Sequence, residues 1–416
     1  MKDTFKIFTL GCKTNKYESE AILCQLEKLG WKEGENPQLC IINTCCVTKG
    51  AEKDSLYLLR QIKKKYSKAL TVVTGCFSEK IKDIFLDEGI VYISNKEKEK
   101  LIEKIFPKKF SFPPFQVEKF SSHTRAFVKI QDGCNCFCSY CIIPYVRGKS
   151  RSRPKEEIIK EIKVLVANGK KEIVLTGIDI GDFRIEGKKG LAKLIRDIEE
   201  IEGLKKLRLS SINPNDIDDD LIDSVTEGEK FGRNMHISLQ AGSDKMLQKM
   251  KRNYTSRAFL NVLEKFIKKN EDFTFSTDII VGFPGETRKD FEDTLKIVKE
   301  AQFLHVHIFP YSRREKTHAF SLPDQIDTKV IKKRKKELFL LAKEISFRVR
   351  EKFVGRKMSL LIENKKKKFP NFFFGHTENF LPVFLSSKNL VSNTNVEVKL
   401  VENKEFGLLG KVLKNL

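Results

Sequence analysis

Between residues 125 and 310 six short β-rich runs alternate with helical stretches, and no other feature of the chain limits the fold as much. The runs are AFVKI, EIVLTG, KLRLSS, MHISLQ, FTFSTDIIVG and FLHVHIF, with stretches such as PKEEIIKEIKVLVANG and DFEDTLKIVKEAQ between them. Consecutive βα units pair their strands in parallel through right-handed crossovers, so about six in series predict a barrel or partial barrel. Ligands should then gather at the C-terminal ends of the strands. The first 105 residues repeat the alternation on a smaller scale through FKIFTL, LCIINT, LTVVTG and IVYI. That pattern predicts a small open α/β sheet, mostly parallel. Residues 106–123, containing Phe and Pro, read as a linker. Residues 327–352 form a basic helical stretch whose Leu338, Leu341 and Ile345 recur on one packed face, leaving a solvated lysine side. From about residue 353 short strands predict a small all-β barrel. The fold class is therefore α/β, with expected domains at 1–110, 120–350 and 351–416.

With 416 residues, 40% hydrophobic and 32% charged, the chain can bury real cores without covalent staples. The N-terminus lacks the apolar core of a signal peptide and no run approaches a membrane span, so a cytoplasmic protein is expected. In that compartment the ten cysteines are metal ligands more often than disulfides. The net charge of +23 favours polyanions such as nucleic acid. A generally lysine-rich proteome is the plainer alternative.

Four thiols, Cys134, Cys136, Cys138 and Cys141, crowd the stretch QDGCNCFCSYCIIP. Most disulfide pairings there would strain the backbone. Zinc usually takes paired C-x2-C knuckles, and iron–sulfur clusters take closely spaced thiolates. Three further thiols, Cys12, Cys45 and Cys76, each stand just past a predicted strand, and in a parallel sheet those ends share one edge. They should converge as a metal site does. Cys24 and Cys40 read as small buried hydrophobes, and Cys46 is ambiguous. The C-x3-C-x2-C spacing of Cys134, Cys138 and Cys141 would leave one iron of a four-iron cube without a protein ligand, with Cys136 a bystander.

That loop, opening a run of βα units and carrying Tyr140 before its third cysteine, resembles the radical S-adenosylmethionine enzymes. With TLGCKTNKYESE (9–20), INTC (42–45), VTGC (73–76), LQAGSDKMLQKMKRNYT (239–255) and TDIIVGFPGET (277–287), nearly the whole chain resembles the methylthiotransferases. The resemblance implies an auxiliary 4Fe–4S cluster on Cys12, Cys45 and Cys76 and a radical-generating one on Cys134, Cys138 and Cys141. The open iron would chelate S-adenosylmethionine, whose reductive cleavage yields a 5′-deoxyadenosyl radical. Sulfur from the auxiliary cluster would join the activated carbon, and a second S-adenosylmethionine would supply the methyl group. Pocket residues expected at strand ends are Gly177, Asp179, Ser210, Ser211, Gln240 and Gly282, together with Tyr140. The plainer reading of Gly177 and Gly282 is a pair of turn glycines. Four positions depart from the family pattern: Cys136, Cys46, Ala241 and Asn213, which stand where Asn, a small residue, Ser and Glu are usual.

Within the family, GCKTN (11–15) and GHTENFLPV (375–383) resemble the subgroup acting on N6-threonylcarbamoyladenosine at position 37 of tRNA, beside the anticodon. The isopentenyladenosine enzymes and a ribosomal-protein-modifying group are the alternatives, and a non-enzymatic RNA-binding protein with structural zinc is a third. The resemblance implies tRNA as partner, an electron donor such as flavodoxin or ferredoxin, a sulfur donor, and a C-terminal TRAM-like RNA-binding barrel. In that barrel Phe372, Phe373, Phe374 and Phe380, interleaved with Lys365, Lys366, Lys367 and Lys368, offer some rings to RNA once the core is filled. His236, His305 and His307 read as hydrogen-bonded core histidines without a catalytic role.

Overall fold

A buried strand in a sheet covered on both sides must be apolar on both faces, and LCIINT is the clearest case here. In the computed structural model, which describes residues 3–85, 89–107, 111–120, 124–363, 369–386 and 390–416, that strand is buried along its whole length. The N-terminal sheet contains β1 (Thr4–Thr9), β2 (Lys32–Glu33), β3 (Leu39–Thr44), β4 (Leu70–Gly75) and β5 (Ile90–Tyr92). Its order is β2-β1-β3-β4-β5, with every pair parallel. Leu39 and Ile41 pack with Ile22 and Leu26 of the helix Lys13–Lys28. The alternate residues Cys40 and Ile42 pack on the other face with Leu59 and Ile62 of the helix Lys49–Lys65. Cys40 is thus a core residue, as its position within a strand suggested.

The central unit opens with β6 (Ala126–Lys129) and a clamp of β7 (Gln131–Asp132) against β8 (Arg151–Ser152). It continues with β9 (Glu172–Thr176), a small hairpin of β10 (Arg184–Ile185) and β11 (Lys188–Lys189), β12 (Lys206–Leu209), β13 (Asn234–His236), β14 (Thr274–Val281) and β15 (His305–Pro310). Strands β6, β9 and β12 form one parallel sheet and β13, β14 and β15 another. Parallel bridges Leu207–Phe231 and Ile212–Ile237 join the two. The six expected βα units thus make an open barrel. The 106–123 stretch is not a loose linker in its described part: Val117 and Phe120 are fully buried in the core. The Val117 N–H also donates to Glu161 at 2.6 Å. Apolar side chains and a carboxylate acceptor dock a segment that its prolines made look like a spacer.

The helix Thr328–Glu351 buries Leu338, Ala342 and Ile345 against the barrel, while its lysine side faces solvent. After it, β16 (Lys357–Glu363), β17 (Phe373–Thr377), β18 (Pro382–Leu385), β19 (Asn395–Lys404) and β20 (Gly407–Asn415) close a barrel in the order β16-β17-β18-β20-β19. This small barrel stoppers the N-terminal end of the large one. Arg208 donates to the carbonyls of Thr377 and Glu378, each at 3.0 Å, and Thr274 donates to the carbonyl of Asn379. The aromatic expectation is corrected here. Phe373 and Phe374 are core, Phe372 leans on Phe384, and Phe380 stacks on His376 beneath Arg125 and Arg208. None of the four is an exposed ring. Lys365, Lys366, Lys367 and Lys368 lie outside the described residues.

Candidate cluster sites and the cleft beside them

The parallel N-terminal sheet carries Cys12, Cys45 and Cys76 just past the ends of β1, β3 and β4. Gly11 allows the approach: with φ +98°, an added Cβ there would stand 2.9 Å from Cys45 Cβ. Cys12 is exposed at the start of the first helix, whereas Cys45 and Cys76 are buried. Burial pushes the Cys45 thiol up to about 11, and burial raises that of Cys76 as well. A metal would have to displace those protons. Arg147 is placed to help, because its Nε donates to Cys76 Sγ at 3.2 Å. Its guanidinium is fully buried and also bonds Glu18 and Asp132, each at 2.9 Å, and Asn15 at 2.6 Å. Cys46 is buried beside Cys45. A cavity of about 210 Å³, lined by Cys46, Cys76, Ile142, Tyr145 and Arg314, borders the group.

The second set lies in the loop pinched by β7 and β8. Cys134 and Cys136 donate their thiol hydrogens to Asp179 Oδ2, at 3.4 and 3.2 Å. Cys138 Sγ accepts from Arg252 Nη1 at 3.3 Å, and the Cys141 N–H closes the turn on the Cys138 carbonyl at 2.9 Å. Burial pushes the Cys141 thiol up to about 12. Asn213 joins the two halves, donating to Asp179 at 2.8 Å and accepting from Arg252 at 2.5 Å. Cys136 therefore stands beside Cys134 on the same carboxylate.

The donor chemistry fits thiolate ligands, since a guanidinium N–H meets one sulfur in each set and the Cys136 N–H meets Cys134 Sγ at 3.3 Å. Tetrahedral zinc holds its sulfurs roughly 3.8 Å apart, given Zn–S bonds of about 2.3 Å. Among the described residues, the groups of three or more ligand atoms within 4.8 Å of one another are Cys134–Cys136–Asp179 and His236–Asp278–His307. Neither expected triad is that tight.

The other expected pocket residues sit above the strand ends. Ser211 and Ser238 share a hydrogen bond of 2.6 Å, and the adjacent Ser210 hydroxyl is buried without a partner among the described residues. Gln240 holds φ +70°. Tyr140 packs edge-on to Phe283, and burial raises its phenol well above the usual value. A Cβ at Gly177 would stand 2.8 Å from the Gln131 carbonyl, and one at Gly282 would stand 2.3 Å from Ile331. Internal packing alone thus calls for glycine at both.

Inside the open barrel, His305, His307 and Phe309 project from β15 and are solvent-accessible by area. Burial nevertheless lowers the His305 imidazole, and burial with His305 and His236 nearby lowers His307 to about 4. Accessible yet desolvated side chains mark a concave cleft. His236 meets Asp278 at 3.1 Å, and its ring lies 5.4 Å from that of His307. The histidines read as core residues therefore line a cleft. Sequence reasoning also missed Arg147 and Arg252. The RGKSRSR run after the last cysteine, rich in cations where a barrel crossover needs none, was the available signal for Arg147.

Residues 128–298 match the radical SAM superfamily, and residues 4–92 match an uncharacterized protein family, UPF0004. Threonylcarbamoyladenosine tRNA methylthiotransferase MtaB of Chlamydia pneumoniae is 42% identical, covering 99% of both chains. MtaB of Bacillus subtilis is 33% identical over 96% of this chain and 94% of its own. The tRNA-2-methylthio-N(6)-dimethylallyladenosine synthase of Carboxydothermus hydrogenoformans is 36% identical over 98% of each. A radical S-adenosylmethionine methyltransferase, TsrM from Kitasatospora setae, superposes with a TM-score of 0.58 over 77% of both chains; at 13% identity it speaks for the fold alone. The open parallel barrel with its cysteine loop after the first strand is that of a radical S-adenosylmethionine enzyme. Within that class, the chain belongs to the tRNA methylthiotransferases.

Proposed function

We propose that this enzyme methylthiolates C2 of N6-threonylcarbamoyladenosine at position 37 of tRNA, giving the 2-methylthio-N6-threonylcarbamoyl nucleoside. The observation that carries this is the full-length relative named for that substrate, at 42% identity. In this reading Cys12, Cys45 and Cys76 hold one 4Fe–4S cluster and Cys134, Cys138 and Cys141 the other. Tyr140, Gly177, Asp179, Ser211, Gln240 and Gly282 surround S-adenosylmethionine. The bound clusters and cofactor supply one-electron cleavage, sulfur and methyl transfer. The chain supplies charge and position. Arg147 and Arg252 donate hydrogen bonds to one sulfur of each set, favouring the ionised ligand. Asn213 ties Arg252 to Asp179 and so fixes both sides of the loop.

An anticodon-loop base is unpaired and swings into a cleft at low cost, while the basic surface holds flanking phosphates. The small barrel acts as a TRAM-like RNA-binding module, a flavodoxin or ferredoxin delivers electrons, a separate donor renews the sulfur, and the enzyme works in the cytoplasm. The relative named for dimethylallyladenosine, at 36% identity, supports a second reading with that base as substrate. Mass spectrometry of tRNA nucleosides from a strain lacking the gene separates the two. Loss of 2-methylthio-N6-threonylcarbamoyladenosine is expected, and loss of the isopentenyl product alone would favour the second reading.

A further inference from the structure

Two lysines of the first helix stand at the cleft, with Asp278 the carboxylate that attracts Lys13. Lys13 directly follows Cys12, and Lys16 lies one turn on. Neither forms an ion pair among the described residues. Lys13 is solvent-accessible by area, yet its electrostatic neighbours come from around the barrel interior: Arg125, Asp278, Arg208 and Lys16. Lys16 stands 6.0 Å above the Phe127 ring on β6. The floor below is already balanced, because Arg125 and Arg208 share Glu172 and Arg125 also pairs with Glu363. Asp278, which meets His236 at 3.1 Å, also attracts Lys13. Lys13, Lys16, Arg125 and Arg208 thus face Glu172, Glu363 and Asp278, four cations against three carboxylates, and the cleft keeps one surplus positive charge at its lysine side.

That surplus decides what the cleft can take. His236, Asp278 and His307 are close enough to ligate a cation, but a divalent ion there would face Lys13 and, beyond it, Arg125 and Arg208. An anion gains where a cation loses. It must also be carried by something that fits among rings: His305 and His307 lie 4.3 Å apart and Phe309 is stacked 6.5 Å further along, a face suited to a flat base.

We propose that Lys13 and Lys16 form an anion site in the cleft that receives the carboxylate of the N6 substituent and so selects the acidic modification over an apolar one. The inference rests on the substrate reading above and names the group that reads it. A carboxylate held beside Lys13 keeps the purine next to the Cys12 end of the auxiliary set. A backbone phosphate has the same chemistry, and the test separates them.

The experiment measures binding of reconstituted enzyme to one tRNA with and without the threonylcarbamoyl group, using wild type, Lys13→Met, Lys16→Met and Lys13→Arg. Wild type should prefer the modified tRNA. Lys13→Met should lose about 10- to 100-fold on that tRNA alone, the size of a charge-assisted hydrogen bond. Lys16→Met should lose in the same direction, and Lys13→Arg should restore most of the preference. Equal weakening on both tRNAs would identify a phosphate contact and overturn the inference, as would a preference that survives in Lys13→Met. Should wild type bind both equally and form no product on the modified tRNA, the substrate reading fails too. Wild-type product with an intact Lys13→Met preference overturns the inference alone.

Discussion

Replacing Arg147 by methionine removes a side chain that bonds both Cys76 of the N-terminal sheet and Asp132 of the QDGC strand. The guanidinium is wholly inaccessible, with Glu18 and Asp132 nearly so at 2% and 5%. Two contacts of 2.9 Å at an effective dielectric near 20 amount to about 6 kcal/mol each before desolvation. Removing one partner of such a buried group has a net cost of about 3–5 kcal/mol, because Glu18 keeps Lys98 and Lys129, and Asp132 keeps Lys129 and the half-exposed Arg151, but neither regains the buried guanidinium. Burial works to raise both carboxyls, but Arg147 with Lys98 and Lys129 holds Glu18 below the ordinary range, and Arg147 with Lys129 and Arg151 does the same for Asp132. Carboxyls lowered in this way contribute stability that is present above their unfolded values and lost as pH falls through the folded ones. In Arg147→Met the carboxyls rise towards ordinary values. The gap between variant and wild type should then be full at pH 7 and narrow below about pH 4. Urea unfolding of the metal-free protein, followed by circular dichroism at both pH values, measures it. A gap under about 1 kcal/mol at pH 7, or one that widens in acid, refutes the reasoning.

Cys136→Ser should keep full iron after anaerobic reconstitution, whereas Cys138→Ser should lose about half, and the reverse pattern would show the ligands misassigned. Cys45→Ser against Cys46→Ser makes the same comparison at the other set, with the loss expected at Cys45. Truncation after residue 350 strips Arg208 of the Thr377 and Glu378 carbonyls, so a lower melting temperature should accompany weaker tRNA binding, and an unchanged melting temperature would contradict the docking. His307 should titrate near pH 4 by NMR; a midpoint above 6 would mean that the cleft is wetter than described.

The main strands were legible because alternating and β-rich runs report burial directly. The six parallel strands of the central unit fall where its runs lie, and the small barrel follows residue 353 as expected, whereas the two-residue strands β7, β8, β10 and β11 left no such run. Strand β2 is two exposed residues with no pattern to read. The placement of Cys12, Cys45 and Cys76 just past β1, β3 and β4 was legible because parallel topology puts those strand ends on one edge. Side-chain partners were not legible. Arg147 meets Glu18 across 129 positions and Arg252 meets Cys138 across 114, distances over which sequence carries no local signal. The histidines misled for a related reason: alternation in β15 reads as a core strand, but β15 ends an open barrel, so one face lines a cleft.

The central claim is the reaction itself, and it is tested by incubating reduced, reconstituted enzyme and S-adenosylmethionine with tRNA carrying either threonylcarbamoyladenosine or isopentenyladenosine. The account predicts a 2-methylthio nucleoside from the first, with methionine and 5′-deoxyadenosine released, and none from the second. Product on the isopentenyl tRNA alone would contradict the substrate, and product on neither, with both clusters assembled, would contradict the account as a whole.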